Sequence, residues 1–343
     1  MKAAISALAQ EPPAIGVATV AEAVASQFGL HGEYTPLVSE RDQNFELRAT
    51  DGGRCVVKVS SALEDGLTTE FQVGALLHLH PAQGIRTPRV VTALDGCATG
   101  AITHAGVTHC LRVVSWVQGE QLETIELQPT LLSRFGSALA QLDLALQGFS
   151  HHGENPVLLW DLQRVCELRE LLDHIEDVHE RAAVGAAIDD FEADVIPSSD
   201  ALRAQVIHSD ANPENVLLSD TGFGFIDFSD IVRAPLVFDV AIAASYLRCL
   251  DGDPLRFIAP FVAGYHAVLP LKTIELELLF DLVRSRLATT ITLLHWRMRK
   301  RSGDDPYRKK SQELECDASH FLFRLDQIGR QEFLNKIRGF TAV

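Results

Sequence analysis

The chain has 343 residues, and its 30 Lys and Arg stand against 46 Asp and Glu, which gives a formal net charge of −16 at pH 7. Nucleic acids and anionic membrane surfaces attract clustered positive charge, so this balance argues against both as partners. It is compatible with a cationic small substrate. With 47% hydrophobic residues, a chain of this length is expected to form two domains, or two lobes that share one cleft.

The start of the chain lacks the sustained apolar stretch of a secretory signal, and no run approaches the length of a transmembrane helix. The six cysteines are scattered without a CxxC pair, so we expect reduced thiols that serve as core residues. These observations predict a cytoplasmic protein, monomeric or homodimeric, with no membrane or nucleic-acid partner.

The N-terminal third reads as strands plus helices. Residues 1–18 are expected to be a loosely ordered leader, and a helix over 20–28 follows, capped by Thr19 with Glu22 in a capping box. Alternating apolar residues predict strands at 45–49 and 55–59, then a helix at 67–79 and two strand pairs across 89–93 and 101–117. Strand periodicity stops near 118–120, so we predict an N-lobe at 19–117 and a C-lobe at 118–343.

The C-lobe is predicted to be mainly helical. Helical spacing covers 130–146, 161–175 and 180–195, a β-rich island occupies 205–227, and helices resume at 237. This order favours an α+β fold with a small β-rich lobe and a larger helical one over a doubly wound sheet, in which strand and helix alternate throughout.

The most informative motif lies in the β-rich island, where an apolar strand leads into a polar loop with the pattern H-x-D-x-x-x-x-N. It places His208, Asp210 and Asn215 in one loop, and Asp227 ends a later apolar strand in Ile-Asp-Phe. Phosphoryl transfer to a hydroxyl needs a carboxylate base, for which Asp210 is the candidate. It also needs oxygen ligands for Mg²⁺, for which Asn215 and Asp227 are the candidates, while His208 is expected to be structural.

An alternative for this run is an Asx-rich turn without chemistry. The order of strands around the motif disfavours that reading, and so does Lys58, which lies on an apolar strand far upstream and is expected to contact the α- and β-phosphates. Glu70 in the next helix is the first candidate to pair with Lys58, and Glu64 is the second.

The phosphate-covering loop is the weakest element. No G-x-G-x-x-G precedes Lys58 and a Walker A sequence is absent, which excludes P-loop chemistry. The connection at 38–45 is the available loop, where backbone N–H groups and the small Ser39 are expected to contact phosphate.

With these residues assembled, the chain resembles the aminoglycoside phosphotransferase / choline kinase superfamily, and within it the hydroxylysine kinase-like branch. The resemblance covers most of residues 20–300. It rests on four short runs, namely Ser39 to Phe45 (SERDQNF), Trp160 to Leu162 (WDL), Val206 to Asp210 (VIHSD) with Asn215, and Phe225 to Asp230 (FIDFSD), followed by Pro235 to Ala241 (PLVFDVA).

The resemblance implies a bilobal protein-kinase-like fold, with ATP or GTP bound at the hinge near Val114 and Trp116 and with Mg²⁺ as the cofactor. Ser209 and Ser229 stand where the superfamily often has glycine. Both departures leave the chemical groups in place, although serine tolerates fewer backbone conformations than glycine.

The helical lobe is expected to supply the acceptor site. Four candidates carry a carboxylate or an aromatic ring that suits an ammonium group: Asp143, Trp160, Asp161 and Asp230. Asp239 is expected to hold the catalytic loop. A carboxylate on the substrate would instead meet one of four late arginines, which otherwise form solvated helix faces: Arg284, Arg286, Arg297 and Arg299.

The leading hypothesis is a small-molecule kinase for a hydroxyl-bearing amine or amino acid such as hydroxylysine. Homoserine, choline or ethanolamine, and an aminoglycoside are alternative acceptors. A catalytically silent nucleotide-binding protein is the alternative from another class, and a protein kinase is disfavoured because no A-P-E segment follows Asp227.

Overall fold

A computed structural model of the chain describes residues 12–39, 41–80, 84–300 and 306–341, with the side chains of residue 300 and residues 306–311 left out. Residues 1–11 of the expected leader lie outside the described residues. The architecture is α+β, with an antiparallel sheet in the N-terminal region and a mainly helical C-terminal part. The predicted fold class is therefore confirmed.

The N-terminal region is built on a five-stranded antiparallel sheet with the strand order β1-β2-β3-β5-β4. Its strands are β1 (Gly32–Leu37), β2 (Gln43–Ala49), β3 (Arg54–Val59), β4 (Gly100–His104) and β5 (Val107–Ser115). The alternation that predicted β2 and β3 is real, because Phe45, Leu47 and Val57 point into a common core and are at most 1% exposed. This sheet forms one wall of the cleft described below.

Helix α1 (Val17–Phe28) packs on that core through Val20, Val24 and Phe28. It starts earlier than predicted: Gly16 is its N-cap and Thr19 lies inside the first turn, so the predicted capping box is wrong. Gly29 ends the helix in the left-handed conformation that suits glycine.

Two strand predictions also need correction. Strand β1 was missed because it is an exposed edge strand with little apolar alternation. Conversely, the predicted strand at 89–93 forms only an isolated bridge between Val90 and Val114.

Helix α2 (Gly66–Leu79) lies between β3 and β4 in sequence, but its apolar face belongs to the large core of the helical part. Phe71 is fully buried there and stacks on Phe149 with ring centroids 5.9 Å apart. The predicted helix at 67–79 is confirmed, although its packing partner is the other lobe.

The helical part surrounds one continuous core. Its helices are α3 (Pro129–Leu146), a 3₁₀ helix (Leu162–His174), α4 (Val178–Asp190) continued by a π turn (Phe191–Val195) and a 3₁₀ turn (Ile196–Ala201), α5 (Leu236–Tyr246), α6 (Ile258–Val268), α7 (Thr273–Lys300) and α8 (Pro306–Thr341). No helix of the described residues is long and apolar enough to cross a membrane.

The segment predicted as a helix at 161–175 is a 3₁₀ helix instead of an α-helix. Its buried residues Leu162, Val165, Leu168 and Leu171 recur every three positions. A 3₁₀ helix has three residues per turn, so this spacing places them all on one face.

The β-rich island forms two small sheets that present the catalytic motif. Strand β7 (Ala204–Ile207) pairs with β10 (Val232–Pro235), and β6 (Glu120–Gln121), β8 (Val216–Ser219) and β9 (Gly222–Phe225) form the other sheet. The H-x-D-x-x-x-x-N loop therefore spans from β7 to β8, and Asp227 follows β9.

Helices α3 and α6 cross through a glycine on each side. A Cβ atom at Gly136 would lie 1.9 Å from the carbonyl oxygen of Phe261, and one at Gly264 would lie 1.9 Å from that of Ser133. Only glycine permits this backbone approach, which places α3 behind the catalytic loop.

Candidate active site

A cavity of about 1630 Å³ lies between the sheet and the helical part. Its walls include Lys58, Val114, Asp210, Asn215 and Asp227. Residues that are distant in sequence and were predicted to share one reaction therefore line one cleft.

The loop after β7 is held from behind by Asp239 at the start of α5. The carboxylate of Asp239 accepts hydrogen bonds from the backbone N–H groups of His208 (3.2 Å) and Ser209 (2.7 Å). The buried imidazole of His208 lies 3.0 Å from the carbonyl oxygen of Ile226, and burial lowers its pKa, so it is neutral. These contacts tie the loop to the strand that precedes Asp227.

Asp210 and Asn215 face each other within this loop. The amide nitrogen of Asn215 donates to the Asp210 carboxylate at 2.7 Å and to the Asp210 carbonyl oxygen at 3.0 Å. Burial, and then the nearby Asp230, raises the pKa of Asp210 to about 8, while Arg286 opposes the rise. A carboxylate whose pKa lies near neutrality suits proton acceptance from a hydroxyl.

Asp227 lies opposite, at a backbone φ of 59° that is uncommon outside glycine. Lys58 Nζ is 3.2 Å from its carboxylate, and the Ser229 hydroxyl donates to the same oxygen at 2.5 Å. Burial disfavours the charge, but Lys58, Ser229 and Arg41 outweigh it and hold the pKa of Asp227 well below its usual range. The carboxylate is therefore ionised.

The expected pairing of Lys58 with Glu70 is wrong, because Glu70 is on the exposed face of α2. Besides Asp227, Lys58 faces Asp42 at 3.9 Å. The buried position of the helix is taken by Gln72, whose amide nitrogen donates to the carbonyl oxygen of Ser229 at 3.1 Å. The prediction chose the wrong residue because it did not identify the buried face of α2, which places residue 72 instead of residue 70 at the cleft.

The second candidate partner, Glu64, lies 3.5 Å from the buried Arg112. The guanidinium of Arg112 also donates to Gln72 and, at 2.9 Å, to the hydroxyl of Ser60. This network was not predicted, because Arg112 lies 40 or more residues along the chain from each of its partners.

The loop between β1 and β2 reaches across the cleft. Arg41 donates to Asp230 of the helical part at 2.5 Å, and Ser39 lines the cavity. Glu40 of the same motif lies outside the described residues. Val114 and Trp116 also line the cavity, at the end of β5 and just after it.

Two of the four expected acceptor residues do not reach the cavity. Asp143 is fully buried behind the catalytic loop, where it accepts a hydrogen bond from the Tyr265 hydroxyl at 2.5 Å. Burial and the neighbouring Asp239 raise its pKa well above the usual range. Asp161 caps the 3₁₀ helix by accepting from the backbone N–H of Gln163 at 2.9 Å. Both serve the fold, so their assignment to the acceptor site is corrected.

Trp160 and Asp230 do line the cavity. Of the late arginines, Arg284 pairs with Asp326 at 2.7 Å and Arg299 with Glu176 at 2.9 Å, whereas two others line the cavity, Arg286 and Arg297. Arg248 and Tyr246 also line it, and no sequence signal identified them, since Tyr246 simply ends an apolar helix and Arg248 follows it.

The two serines in glycine-type positions differ in conformation. Ser209 has a φ of 63°, in the left-handed region that favours glycine, whereas Ser229 is not among the described residues with positive φ. The strain is therefore confined to Ser209, which is fixed by its bond to Asp239.

The donor set fits a divalent cation such as Mg²⁺. The amide nitrogen of Asn215 is committed to Asp210, which leaves its carbonyl oxygen for another partner, and the Asp227 carboxylate is ionised. Hard cations prefer such oxygen ligands.

Comparisons with known proteins agree with this geometry. The model of the phosphotransferase enzyme family (APH) matches residues 33–275. Hydroxylysine kinase of Bos taurus is 30% identical over 301 residues, covering 79% of each chain, and homoserine kinase of Azorhizobium caulinodans is 30% identical over 221 residues, covering 62% of this chain and 64% of the relative.

Among solved structures, the microcompartment-associated aminopropanol kinase superposes with a TM-score of 0.72 at 18% identity, covering 93% of this chain and 99% of that one. At this identity the similarity establishes the fold. The family match and the hydroxylysine kinase relative establish more: the chain belongs to the phosphotransferase enzyme family and is a small-molecule kinase that uses a nucleotide and phosphorylates an alcohol group.

Proposed function

We propose that the protein transfers the γ-phosphoryl group of ATP or GTP to the hydroxyl of a small amine or amino acid such as hydroxylysine. The observation that carries the proposal is the convergence of Lys58, Asp210, Asn215 and Asp227 on one cleft. The hydroxylysine kinase relative covers most of the chain and supports this acceptor. Homoserine is the second candidate, because a homoserine kinase matches over a shorter stretch.

In this mechanism Asp210 orients the acceptor hydroxyl and takes its proton as the oxygen attacks the γ-phosphorus, while the bond from the γ-phosphorus to the β–γ bridging oxygen breaks and ADP or GDP leaves. Asn215 fixes the orientation of the Asp210 carboxylate through its amide nitrogen, at 2.7 Å. Asp239 fixes the loop backbone. Such positioning accounts for much of the catalysis in phosphoryl transfer.

We assign the phosphates of the nucleotide to the end of the cleft with Lys58 and the β1–β2 loop, which carries Ser39. We assign its purine base to the part of the cleft beside Val114 and Trp116. Asn215 and Asp227 would hold Mg²⁺, which when bound neutralises charge on the phosphates. Lys58 then contacts the α- and β-phosphates.

The test is nucleotide consumption with ATP or GTP, Mg²⁺ and a panel of hydroxylated amines and amino acids. Asp210→Asn should lower kcat about 10²- to 10⁴-fold. Asp220→Asn is the matched control, since Asp220 is exposed in the β8–β9 turn and should leave kcat unchanged.

Full turnover by the Asp210→Asn variant would show that Asp210 is not the catalytic base. Nucleotide binding without turnover on the whole panel would support the catalytically silent alternative.

A further inference from the structure

Beyond Asp210 the cavity continues into a region walled by arginine and aromatic side chains. Arg286 and Arg297 come from α7, Tyr246 ends α5 and Arg248 follows it, and Trp160 precedes the 3₁₀ helix. Lys58 and the β1–β2 loop lie on the opposite side, in the N-terminal region. We call this region the arginine wall.

Guanidinium groups and rings alternate along the arginine wall. The guanidinium carbons of Arg297 and Arg286 lie 5.5 Å and 5.1 Å, respectively, from the centroid of the Trp160 ring. The Tyr246 ring has Arg286 at 5.8 Å and Arg248 at 5.5 Å. Stacking of this kind holds each planar guanidinium in a fixed orientation.

Two arginines of the wall, Arg286 and Arg248, differ in the groups that they bond. Arg286 is 1% exposed and lies 3.3 Å from the Asp210 carboxylate. Arg248 donates to two neutral backbone oxygens, those of Ser245 (3.0 Å) and Leu314 (2.9 Å). Its remaining nitrogen, Nη2, is buried and has no hydrogen-bond partner among the described residues, and Asp317 is the carboxylate that acts on the guanidinium electrostatically.

A buried guanidinium without a bonded anion is costly, because the charge has lost its water. In a chain with a net charge of −16, three arginines side by side near Asp210 are a local concentration of positive charge. A carboxylate matches the fork of an arginine with two parallel hydrogen bonds. The acceptor that suits this wall therefore carries a carboxylate some atoms away from its reacting hydroxyl.

We propose that Arg248, with Arg286 and Tyr246 beside it, binds the carboxylate of the acceptor, so that the enzyme selects hydroxy amino acids over amino alcohols. This inference rests on the proposed function and narrows it. The hydroxyl lies at Asp210, and the carboxylate lies one aromatic ring further along the wall, at Arg248. Choline, ethanolamine and aminoglycosides lack this group and are disfavoured as acceptors.

The test compares acceptors in matched pairs: hydroxylysine with the diamino alcohol obtained by removing its carboxyl group, and homoserine with aminopropanol. In the wild type, kcat/KM should favour the amino acid of a productive pair about 10- to 100-fold, as expected for a hydrogen bond to a charged group. Arg248→Gln should raise KM for the amino acid by a similar factor and leave KM for the amino alcohol unchanged. Arg248→Lys, which keeps the charge without the fork, should restore part of the loss.

Equal kcat/KM for both members of each pair would overturn the inference, and so would an Arg248→Gln variant that weakens both members equally. Binding of non-reacting ligands separates this result from the proposed function. By calorimetry, the wild type should bind lysine more tightly than cadaverine, and Arg248→Gln should remove that preference while nucleotide affinity stays the same. If no acceptor is phosphorylated, the proposed function fails, and the lysine–cadaverine comparison still decides the role of Arg248.

Discussion

The tether between Asp239 and the catalytic loop allows a quantitative prediction. Its two carboxylate oxygens each accept one buried backbone N–H, from His208 and Ser209. Asp239→Asn keeps one acceptor and turns an NH₂ group toward the other N–H. One charged hydrogen bond is lost and one buried donor is left unpaired, which costs about 2–3 kcal/mol of unfolding free energy.

The same change should lower kcat, because Asp210 follows Ser209 directly and a misplacement of about 1 Å can cost about 10²-fold. The matched control is Asp143→Asn. Burial and Asp239 raise the pKa of Asp143 and so favour its neutral form, which a neutral amide of the same shape replaces. We expect its unfolding free energy to change by less than about 1 kcal/mol and its kcat to stay near wild type.

The assay is urea unfolding at pH 7 together with kcat for both variants. The reasoning is refuted if Asp143→Asn is as damaging as Asp239→Asn, since the loss would then not come from the two backbone hydrogen bonds that only Asp239 accepts. Wild-type kcat and stability for Asp239→Asn would show that the loop is held by other contacts.

Three further predictions concern backbone strain, packing and pH. Ser209→Gly relieves the strain of a left-handed φ of 63° and should raise Tm while kcat stays unchanged. The relief of about 1–2 kcal/mol exceeds the cost of about 0.4–1 kcal/mol that glycine adds through the entropy of the unfolded chain. A lower Tm would contradict this prediction. Gly136→Ala should lower the free energy of unfolding in urea by about 3 kcal/mol or more, because its Cβ would clash with the α6 backbone. The control Gly185→Ala has open space at its Cβ and should raise that free energy by about 0.5–1 kcal/mol. Equal effects of the two substitutions would contradict the crossing geometry. Hydrogen bonds to Glu180 and Glu315 raise the pKa of His295 from 6.5 to about 9. The charged imidazole therefore stabilises the folded chain fully below pH 6.5, and this stability is lost as the pH rises to about 9. Tm should fall over this interval in the wild type and more weakly in His295→Gln, and parallel curves of Tm against pH would contradict the assignment.

Local patterns predicted most of what lies along a continuous stretch of chain. The alternation of Phe45 and Leu47 predicted β2, and the polar loop between two apolar strands predicted where Asp210 and Asn215 meet. These predictions succeed because side-chain period and turn chemistry are properties of neighbouring residues.

Contacts between distant residues were beyond such reasoning. Arg41 and Asp230 are 189 residues apart, and Arg248 reaches the cavity only because of how α5 ends against α7. The choice between residues 70 and 72 of α2 depended on which face packs against the other lobe. An exposed lysine or arginine and a buried one look alike in sequence when the partner is supplied by tertiary packing.

The packing of α2 has a consequence for how the chain is divided. The boundary near residue 117 separates strands from helices in sequence, yet Phe71, Ala75 and Leu79 belong to the helical core. A cut at this boundary would leave an apolar groove on the helical part and would expose the apolar face of α2 on the N-terminal fragment. We therefore expect that the two halves do not fold independently, and experiments that swap lobes between relatives should transfer residues 66–79 with the helical part.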